Sequence, residues 1–343
     1  MSSDLLTAAA RDWIKEALGR GAPLELQRLT GGASPRRFLR VSLEDGSRAI
    51  LMEVPPDTPD RALAEARGRI WPFLEVRALL EARGVRVPRL LAEACENGWL
   101  LVEDLGETLA ERLERHPEQR AQLHRQAAID LALAQAKLDP LPEGSIVLER
   151  AFDRALLEWE LEHFWEWGLV ARGQGGEDRP GFEAGVRFLL DSIGVLPQGF
   201  VHRDYQSRNL MVTGEPERPE LAWIDFQDAL LGPRAYDLVA LLCDSYQPFE
   251  RTAVEARLDD YAAARGLLPD ERRALGHEFD LLTVQRKLKD AGRFVFIQKK
   301  RGDPSFLRFV EPTLAIVDQA LARLRGVSEL RPLAGLVRRA LGQ

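Results

Sequence analysis

One stretch of the sequence has the residue types and spacing for chemistry: Val201-His202-Arg203-Asp204-Tyr205-Gln206-Ser207-Arg208-Asn209-Leu210. Sixteen residues after Asn209 comes Asp225, within Ile224-Asp225-Phe226-Gln227-Asp228. A carboxylate, an amide a few residues later and a second carboxylate at the tip of a β-hairpin are what phosphoryl transfer from a nucleotide requires. Asp204 is the candidate catalytic base, accepting the proton of the attacking hydroxyl. A loose transition state asks it mainly to orient that hydroxyl, so its pKa need not be high. Asn209 and Asp225 are the candidate metal ligands, hard oxygen donors for the Mg²⁺ that bridges the phosphates of ATP. Phe200, Val201, Leu210, Met211, Val212, Trp223 and Ile224 flank these tips with apolar side chains, which bury the strands and hold the polar ends in register. Ordinary hairpin turn residues would not account for both spacings together.

Such groups need a frame. Residues 4–19 have helical periodicity. Strands are predicted at 24–29, 38–43 and 49–54. The loop Thr30-Gly31-Gly32-Ala33-Ser34 joins the first two, and the Asp45-Gly46 turn joins the second pair. A helix over 60–83, broken near Pro72, leads to strands at 90–94 and 99–102 around an Asn97-Gly98 turn. Helices then dominate: 107–115, 118–138, 152–167, 182–193, 234–246, 251–265, 270–297 and 305–326. One β island interrupts them, at 200–202, 210–212 and 221–224, and residues 172–180 read as a mobile loop. The expected fold is α+β and bilobal, with a small antiparallel-sheet lobe and a larger, mainly helical one. We place a nucleotide-binding lobe at 1–102, a hinge at 103–107 and the helical lobe at 108–343. The helical lobe is expected to hold the catalytic loop (200–213), the metal-binding hairpin (221–229) and acceptor-binding helices. A cleft between lobes is the natural place for a ligand.

Composition narrows the partners. Lys plus Arg is 47 against 54 Asp plus Glu, a net charge of −7, which argues against nucleic acid. No apolar run approaches the roughly 18 residues that cross a bilayer. The N-terminus lacks a basic region followed by an apolar stretch, so no signal peptide is read there. Two cysteines, Cys95 and Cys243, make neither a disulfide framework nor a zinc site. The expectation is a cytoplasmic monomer acting on small molecules.

The Asp204–Asn209–Asp225 pattern is that of a kinase catalytic loop, and at these residues the chain resembles the aminoglycoside phosphotransferase and choline kinase-like superfamily. That resemblance implies a protein-kinase-like fold and ATP-dependent phosphorylation of small-molecule hydroxyls. Asp225-Phe226-Gln227 replaces Asp-Phe-Gly, and no long activation segment fits before the helix near Arg234. Further segments resemble one branch: Ser34 to Val41, Val54-Pro55-Pro56, Gly84 to Leu91, Leu101 to Gly106, His202 to Val212, Ile224 to Pro233, Tyr236-Asp237-Leu238 and Gln285-Arg286-Lys287-Leu288-Lys289. That branch is the anomeric kinases of N-acetylmuramic acid and N-acetylglucosamine in bacterial cell-wall recycling, which give the sugar 1-phosphate. One residue departs from the branch: Gln206 stands where the resemblance leads us to expect His.

The remaining candidates follow from these two readings. Asp228 either hydrogen-bonds a sugar hydroxyl or holds its loop. Arg208 reaches a phosphate or the acceptor, or else pairs with a carboxylate. His202 and Arg203 brace the loop. Asp237 caps a helix, and in kinase-like folds an Asp at that point also braces the catalytic loop. Kinases carry a phosphate-binding Lys on the third strand, where Met52 stands here. Either the protein is a pseudokinase or the charge comes from Arg36 and Arg37; the sugar-kinase branch also lacks this Lys and keeps the paired Arg. Ser34, Arg36, Arg37, Glu103 and Leu105 are the candidate nucleotide-binding residues, with the backbone of 103–105 expected to meet adenine. Glu75 is the candidate partner of such a cation. Glu158 and Glu162 are the candidate acceptor ligands, on an acidic-aromatic helix with Glu160, His163 and Trp165. Trp165 or Trp167 offers a stacking face for a sugar; the plainer reading makes Trp159, Phe164 and Trp167 core and the carboxylates solvated. The rivals are an aminoglycoside or amino-alcohol kinase, disfavoured by the basic Arg338-Arg339 tail, and a regulatory pseudokinase module.

Overall fold

Alternation of apolar and polar residues builds the first sheet. The computed structural model describes residues 8–19, 23–29, 35–68, 70–176, 178–215, 218–245 and 249–342. Helix α1 (Ala8–Leu18) is followed by β1 (Pro23–Arg28), β2 (Arg37–Leu43) and β3 (Arg48–Glu53). On β2, Leu39, Val41 and Leu43 are buried while the residues between them are more exposed, as a strand covered on one face requires. Ala10 and Ile14 of α1 pack on that face together with Ala49, Leu51 and Leu101. The predicted long helix is two, α2 (Pro59–Arg67) and α3 (Pro72–Ala82), each with a Pro in its first turn, where the missing N–H costs nothing. Strands β4 (Leu90–Ala94) and β5 (Trp99–Glu103) complete an antiparallel sheet in the order β1-β2-β3-β5-β4. Gly98 turns the chain between them at φ 81°, where a Cβ would lie 2.5 Å from the Val54 carbonyl oxygen.

A two-residue strand, β6 (Glu107–Thr108), precedes the helices α4 (Leu109–Arg115), α5 (Arg120–Lys137), α6 (Ile146–Glu149), α7 (Arg154–His163) and α8 (Arg179–Gly194). Helix α7 runs on through a π-helical turn at Phe164–Leu169 and a 3-10 turn at Val170–Arg172. Strand β7 (Gln198–Val201) leads into the Asp204 loop, followed by β8 (Leu210–Glu215), β9 (Arg218–Trp223) and β10 (Leu230–Pro233). Helices α9 (Tyr236–Leu242), α10 (Arg251–Arg265), α11 (Pro269–Arg301), α12 (Val310–Arg323) and α13 (Arg331–Ala340) end the chain. The single β island expected from the sequence is two sheets: β7 pairs with β10, while β8 lies between β6 and β9. Strands β6 and β10 and helices α6 and α13 were not expected.

The chain divides into two compact units, the first comprising 1–108 and 210–227, the second 109–209 and 228–343. The β8–β9 hairpin therefore packs within the first unit, where the sequence reading had put it in the helical lobe. Its local reasons are a backbone bond from Trp223 N–H to the Arg86 carbonyl (2.9 Å) and an apolar cluster of Leu105, Met211, Ala222 and Ile224. Nearby, Arg40 on β2 grips Asp104 through two hydrogen bonds (2.7 and 3.0 Å) and donates to the Gly106 carbonyl (2.8 Å). Asp104 accepts again from Gly106 N–H (3.0 Å), so the segment after β5 is held in one shape.

In the second unit, α11 approaches the end of α7 closely. A Cβ on Gly292 would stand 2.8 Å from Phe164 Cα and 2.9 Å from the His163 carbonyl oxygen, both backbone atoms that cannot step aside. Gly292→Ala is expected to lower stability by roughly 1–3 kcal/mol through overpacking. Gly276→Ala, on the same helix but with only the Arg272 guanidinium tip nearby at 3.6 Å, serves as the control. There the gain in helix propensity should raise stability by about 0.5 kcal/mol. Urea unfolding of both variants checks the contrast in sign.

Candidate active site

The Asp204 loop begins where β7 ends, and side-chain hydrogen bonds hold it at both ends. Phe200 and Val201 are buried and pair with Leu231 and Leu230 of β10. Gln135, buried on α5, donates to the Phe200 carbonyl (2.9 Å) and the Arg234 carbonyl (3.1 Å), and its own oxygen accepts from Tyr261 (2.6 Å). Asp237, at the start of α9, accepts from the amides of His202 (2.7 Å) and Arg203 (3.0 Å), one to each carboxylate oxygen. Just past the second amide the chain turns through Arg203 at φ 76°, a left-handed conformation that a long side chain adopts at a cost of about 1–3 kcal/mol. Tyr205 anchors the next step by donating to the Ala127 carbonyl (3.0 Å), and Ser207 by donating to Asp244 (2.8 Å).

Asp204 is set by what surrounds it. Its side chain is 45 % exposed, and Oδ1 receives a hydrogen bond from Arg286 Nη2 at 3.3 Å. Its backbone carbonyl accepts from the Gln206 amide (2.9 Å) and from Asn209 Nδ2 (2.8 Å). Burial alone would raise the Asp204 pKa; Arg286, Lys289, Arg203 and His202 outweigh it and hold the carboxyl below its ordinary value. An ionised carboxylate at neutral pH is the form a proton acceptor needs. Gln206 contributes backbone atoms to this turn, its carbonyl accepting from the Asn209 amide at 2.8 Å. Any residue type can do that, so the Gln206 departure leaves the loop's geometry intact.

Asp225 lies in the first unit, just past β9. It too is left-handed, at φ 63°, a region Asp tolerates better than most side chains. Oδ1 accepts from Gln227 Nε2 (2.9 Å) and lies 3.8 Å from Arg36 Nη1. Phe226 turns inward instead and stacks on Phe73 of α3 at 5.1 Å. The Arg36 side chain is 9 % exposed and Asp225 44 %, so a buried guanidinium stands beside a solvent-reachable carboxylate. Met52 is buried within the sheet, opposite Phe38. A cation delivered from the start of β2, rather than from β3, is what this unit offers in place of the strand lysine. Glu75 sits half-buried on α3.

The other candidates divide. Ser34 and the rest of the glycine loop lie outside the described residues. Arg37 points away from the covered face and is exposed. The Glu103 amide donates to the Arg89 carbonyl (3.0 Å). Its carboxylate is held by Arg86 (2.8 Å) and Arg89; burial raises its pKa, and these arginines override that and lower it. Leu105 instead belongs to the small apolar cluster with Met211 and Ala222. Arg208 and Asp228 are both exposed, one on each side of the β8–β9 hairpin in sequence. Most of the predicted mobile segment 172–180 is a 3-10 end, a glycine turn and the start of α8.

Helix α7 carries the expected acceptor ligands. Glu158 is exposed, and Glu162 pairs through two arms (2.7 Å each) with Arg179, whose guanidinium also covers the Trp165 ring. Glu160 is the carboxylate that faces the loop. It is buried, accepts from Gln285 Nε2 at 2.7 Å and lies 3.7 Å from the Arg203 guanidinium. A shift of two residues turns a side chain by about 200° around a helix, which separates these roles. Trp159, read as core, is 61 % exposed and stacks on His163; Phe164 is core, and Trp167 is partly covered by Lys300.

The residues overlooked are on α11. Asp280, Gln285, Arg286 and Lys287 are buried polar side chains in one helix, and Lys289 and Asp290 follow them. Burial would lower the Lys289 pKa, but Tyr236 and Asp290 reverse that and hold it charged; burial would raise Asp290, and Lys287 and Lys289 bring it far down. The sequence signal was present: a helix whose charged residues fall on its apolar face as well as its outer one.

Comparison with known proteins places this geometry. The chain matches the family described as "Phosphotransferase enzyme family" over residues 25–277. It is 35% identical over 334 residues to the N-acetylmuramate/N-acetylglucosamine kinase of Pseudomonas aeruginosa, covering 94% of this chain and 91% of that one. The enzyme of the same name from Caulobacter vibrioides is 30% identical over 336 residues, covering 87% and 89%. Among solved structures, choline kinase LicA from Streptococcus pneumoniae superposes with TM-score 0.60 at 14% identity, covering 93% of this chain and 100% of that one. A streptomycin–ATP–APH(2″)-IIa ternary complex gives TM-score 0.60 at 12% identity, covering 96% and 99%. The fold is thus the α+β kinase-like one. Among the described residues no helix is long and apolar enough to cross a membrane. By sequence over most of its length, and by fold, the chain belongs to the phosphotransferase enzyme family.

Proposed function

We propose that this protein transfers the γ-phosphoryl group of ATP to the anomeric hydroxyl of N-acetylmuramic acid and N-acetylglucosamine, giving the sugar 1-phosphates used in cell-wall recycling. The observation that carries the sugar assignment is the set of relatives of that name, 30 to 35% identical over nearly the whole chain. In this reading the acceptor oxygen bonds to the γ-phosphorus, the bond from that phosphorus to the bridging oxygen breaks, and ADP leaves. Asp204 takes the acceptor's proton, which its depressed pKa allows only as the P–O bond forms. Arg36 pairs with nucleotide phosphate, and the Leu105 backbone with its apolar cluster receives adenine.

Asn209 and Asp225 are the proposed magnesium ligands. Asn209 Nδ2 donates to the Asp204 carbonyl, which makes the amide oxygen its ligating atom, and Asp225 brings an exposed carboxylate. Magnesium takes one or two protein oxygens, with waters and substrate phosphates. When bound it would supply neutralisation of phosphate charge. Every residue given a role lies on one chain, so the reading needs no partner subunit, and ATP dependence fits a cytoplasmic enzyme.

An ADP-release assay over N-acetylmuramic acid, N-acetylglucosamine, aminoglycosides and choline tests the acceptor. The N-acetyl sugars should give the highest kcat/KM; turnover of aminoglycosides alone would overturn the sugar reading. Asp204→Asn should lower kcat by about 10²–10⁴-fold, the range general-base catalysis supplies. Arg36→Ala should raise the KM for ATP about ten-fold or more, as loss of a charged hydrogen bond does, and Arg37→Ala should leave it unchanged. An unaltered KM in the Arg36 variant would remove that residue from the phosphate site.

A further inference from the structure

We propose that Arg286, on α11, is a positioning residue for the catalytic base: it holds Oδ1 of Asp204 and thereby makes Oδ2 the atom that takes the acceptor's proton. The inference rests on Asp204 being the base. Arg286 is 4% exposed, and a guanidinium is not buried without several kcal/mol of compensation. Its compensation is directed at two consecutive residues of the loop. Nη1 donates to the Arg203 carbonyl at 2.6 Å and Nη2 to Asp204 Oδ1 at 3.3 Å, while the guanidinium lies over the Tyr236 ring at 4.9 Å.

The planar fork matters here. An Asp carboxylate turns about a broad, two-fold torsion, so nothing in Asp204 itself distinguishes its two oxygens. A donor fixed to the Arg203 carbonyl by its other arm breaks that symmetry. The same contact completes the restraint of Arg203, whose left-handed backbone needs it. Its amide is held by Asp237, its carbonyl by Arg286, and its side chain lies beside Glu160 and over Phe152. Glu160 is in turn fixed by Gln285, the neighbour of Arg286. Helix α11 thus grips the residue before the base and the base itself, and α7 reinforces the grip. A lysine would supply charge but could not reach both acceptors at a fixed spacing.

The experiment compares wild type, Asp204→Asn, Arg286→Lys and Arg286→Gln, using the acceptor with the highest kcat/KM in the ADP-release screen. Misplacing a reacting group by about an ångström costs on the order of 10²-fold, so Arg286→Gln should lose about that much in kcat with the KM for ATP within about two-fold of wild type. Arg286→Lys should be several-fold faster than the glutamine variant and slower than wild type. A kcat near wild type in a folded Arg286 variant overturns the inference. So does a KM for ATP that rises in step with the fall in kcat, or a lysine variant no faster than glutamine. If the glutamine variant fails to fold, the kcat-against-KM split of Arg286→Lys, with its melting temperature as control, decides alone. An active Asp204→Asn enzyme would instead remove the base assignment. An inactive one beside normal Arg286 variants would remove only the role of Arg286.

Discussion

The carboxylate of Asp237 accepting two successive amides, those of His202 and Arg203, is the interaction on which the site depends. It holds the backbone up to the amide of Arg203, the left-handed residue immediately before Asp204. The arrangement is costly in isolation. Burial pushes Asp237 up to about 7, against the amide hydrogen bonds and Arg286, which pull it down. With a folded-state pKa above the unfolded one, the native protein holds more protons on this group between pH 4 and 7. Asp237 therefore contributes less to stability as pH rises through that window, while its ionised form is the better acceptor for two N–H groups. Loop geometry, rather than net stability, is the physical reason for an acid in that place.

Charge is divided in a consistent way. In the second unit Asp204 stands among Arg203, Arg286 and Lys289, with Glu160 and Asp290 nearby. In the first unit the Arg36 guanidinium lies beside Asp225. The absence of a lysine on β3 then has a structural meaning. Met52 is packed inside the sheet, and the cation enters from the start of β2 instead. The pseudokinase reading rested on Met52 alone and loses its support once another cation stands beside the metal-ligand candidate.

Local signals in the sequence were strong enough for most of the frame. Period-two alternation located β2 and β3 nearly to the residue, and Pro72 marked the break in the helix expected over 60–83. The candidate residues Asp204, Asn209 and Asp225 were legible because they lie beside the ends of β7, β8 and β9, where spacing along the chain sets local position. What was not legible depends on partners distant in sequence. Strands β6 and β10 are short and acquire identity only by pairing with β8 and β7. Helix periodicity suggested carboxylates on α7 but not which of them turns inward, and the answer, Glu160, is decided by Gln285 far along the chain. Exposed Trp159 runs against the general tendency of tryptophan to be covered.

Helix α11 shows why buried charge was the signal to follow. Its apolar face is interrupted at intervals, and each interruption ties down a different element. Asp280 bonds Arg251 of α10 and Arg323 of α12; Gln285 bonds Glu160 of α7; Arg286 bonds the catalytic loop; Lys287 bonds Ser245, which also accepts from Thr313 of α12. Well-packed apolar side chains in place of such groups often leave stability unchanged or raise it. Stability therefore explains them poorly. Direction explains them better: a hydrophobic contact is satisfied over a range of slides and rotations, whereas a hydrogen bond between buried groups is satisfied at one. Four such side chains along one helix fix its register against its neighbours, and the Asp204 carboxylate is positioned from that register.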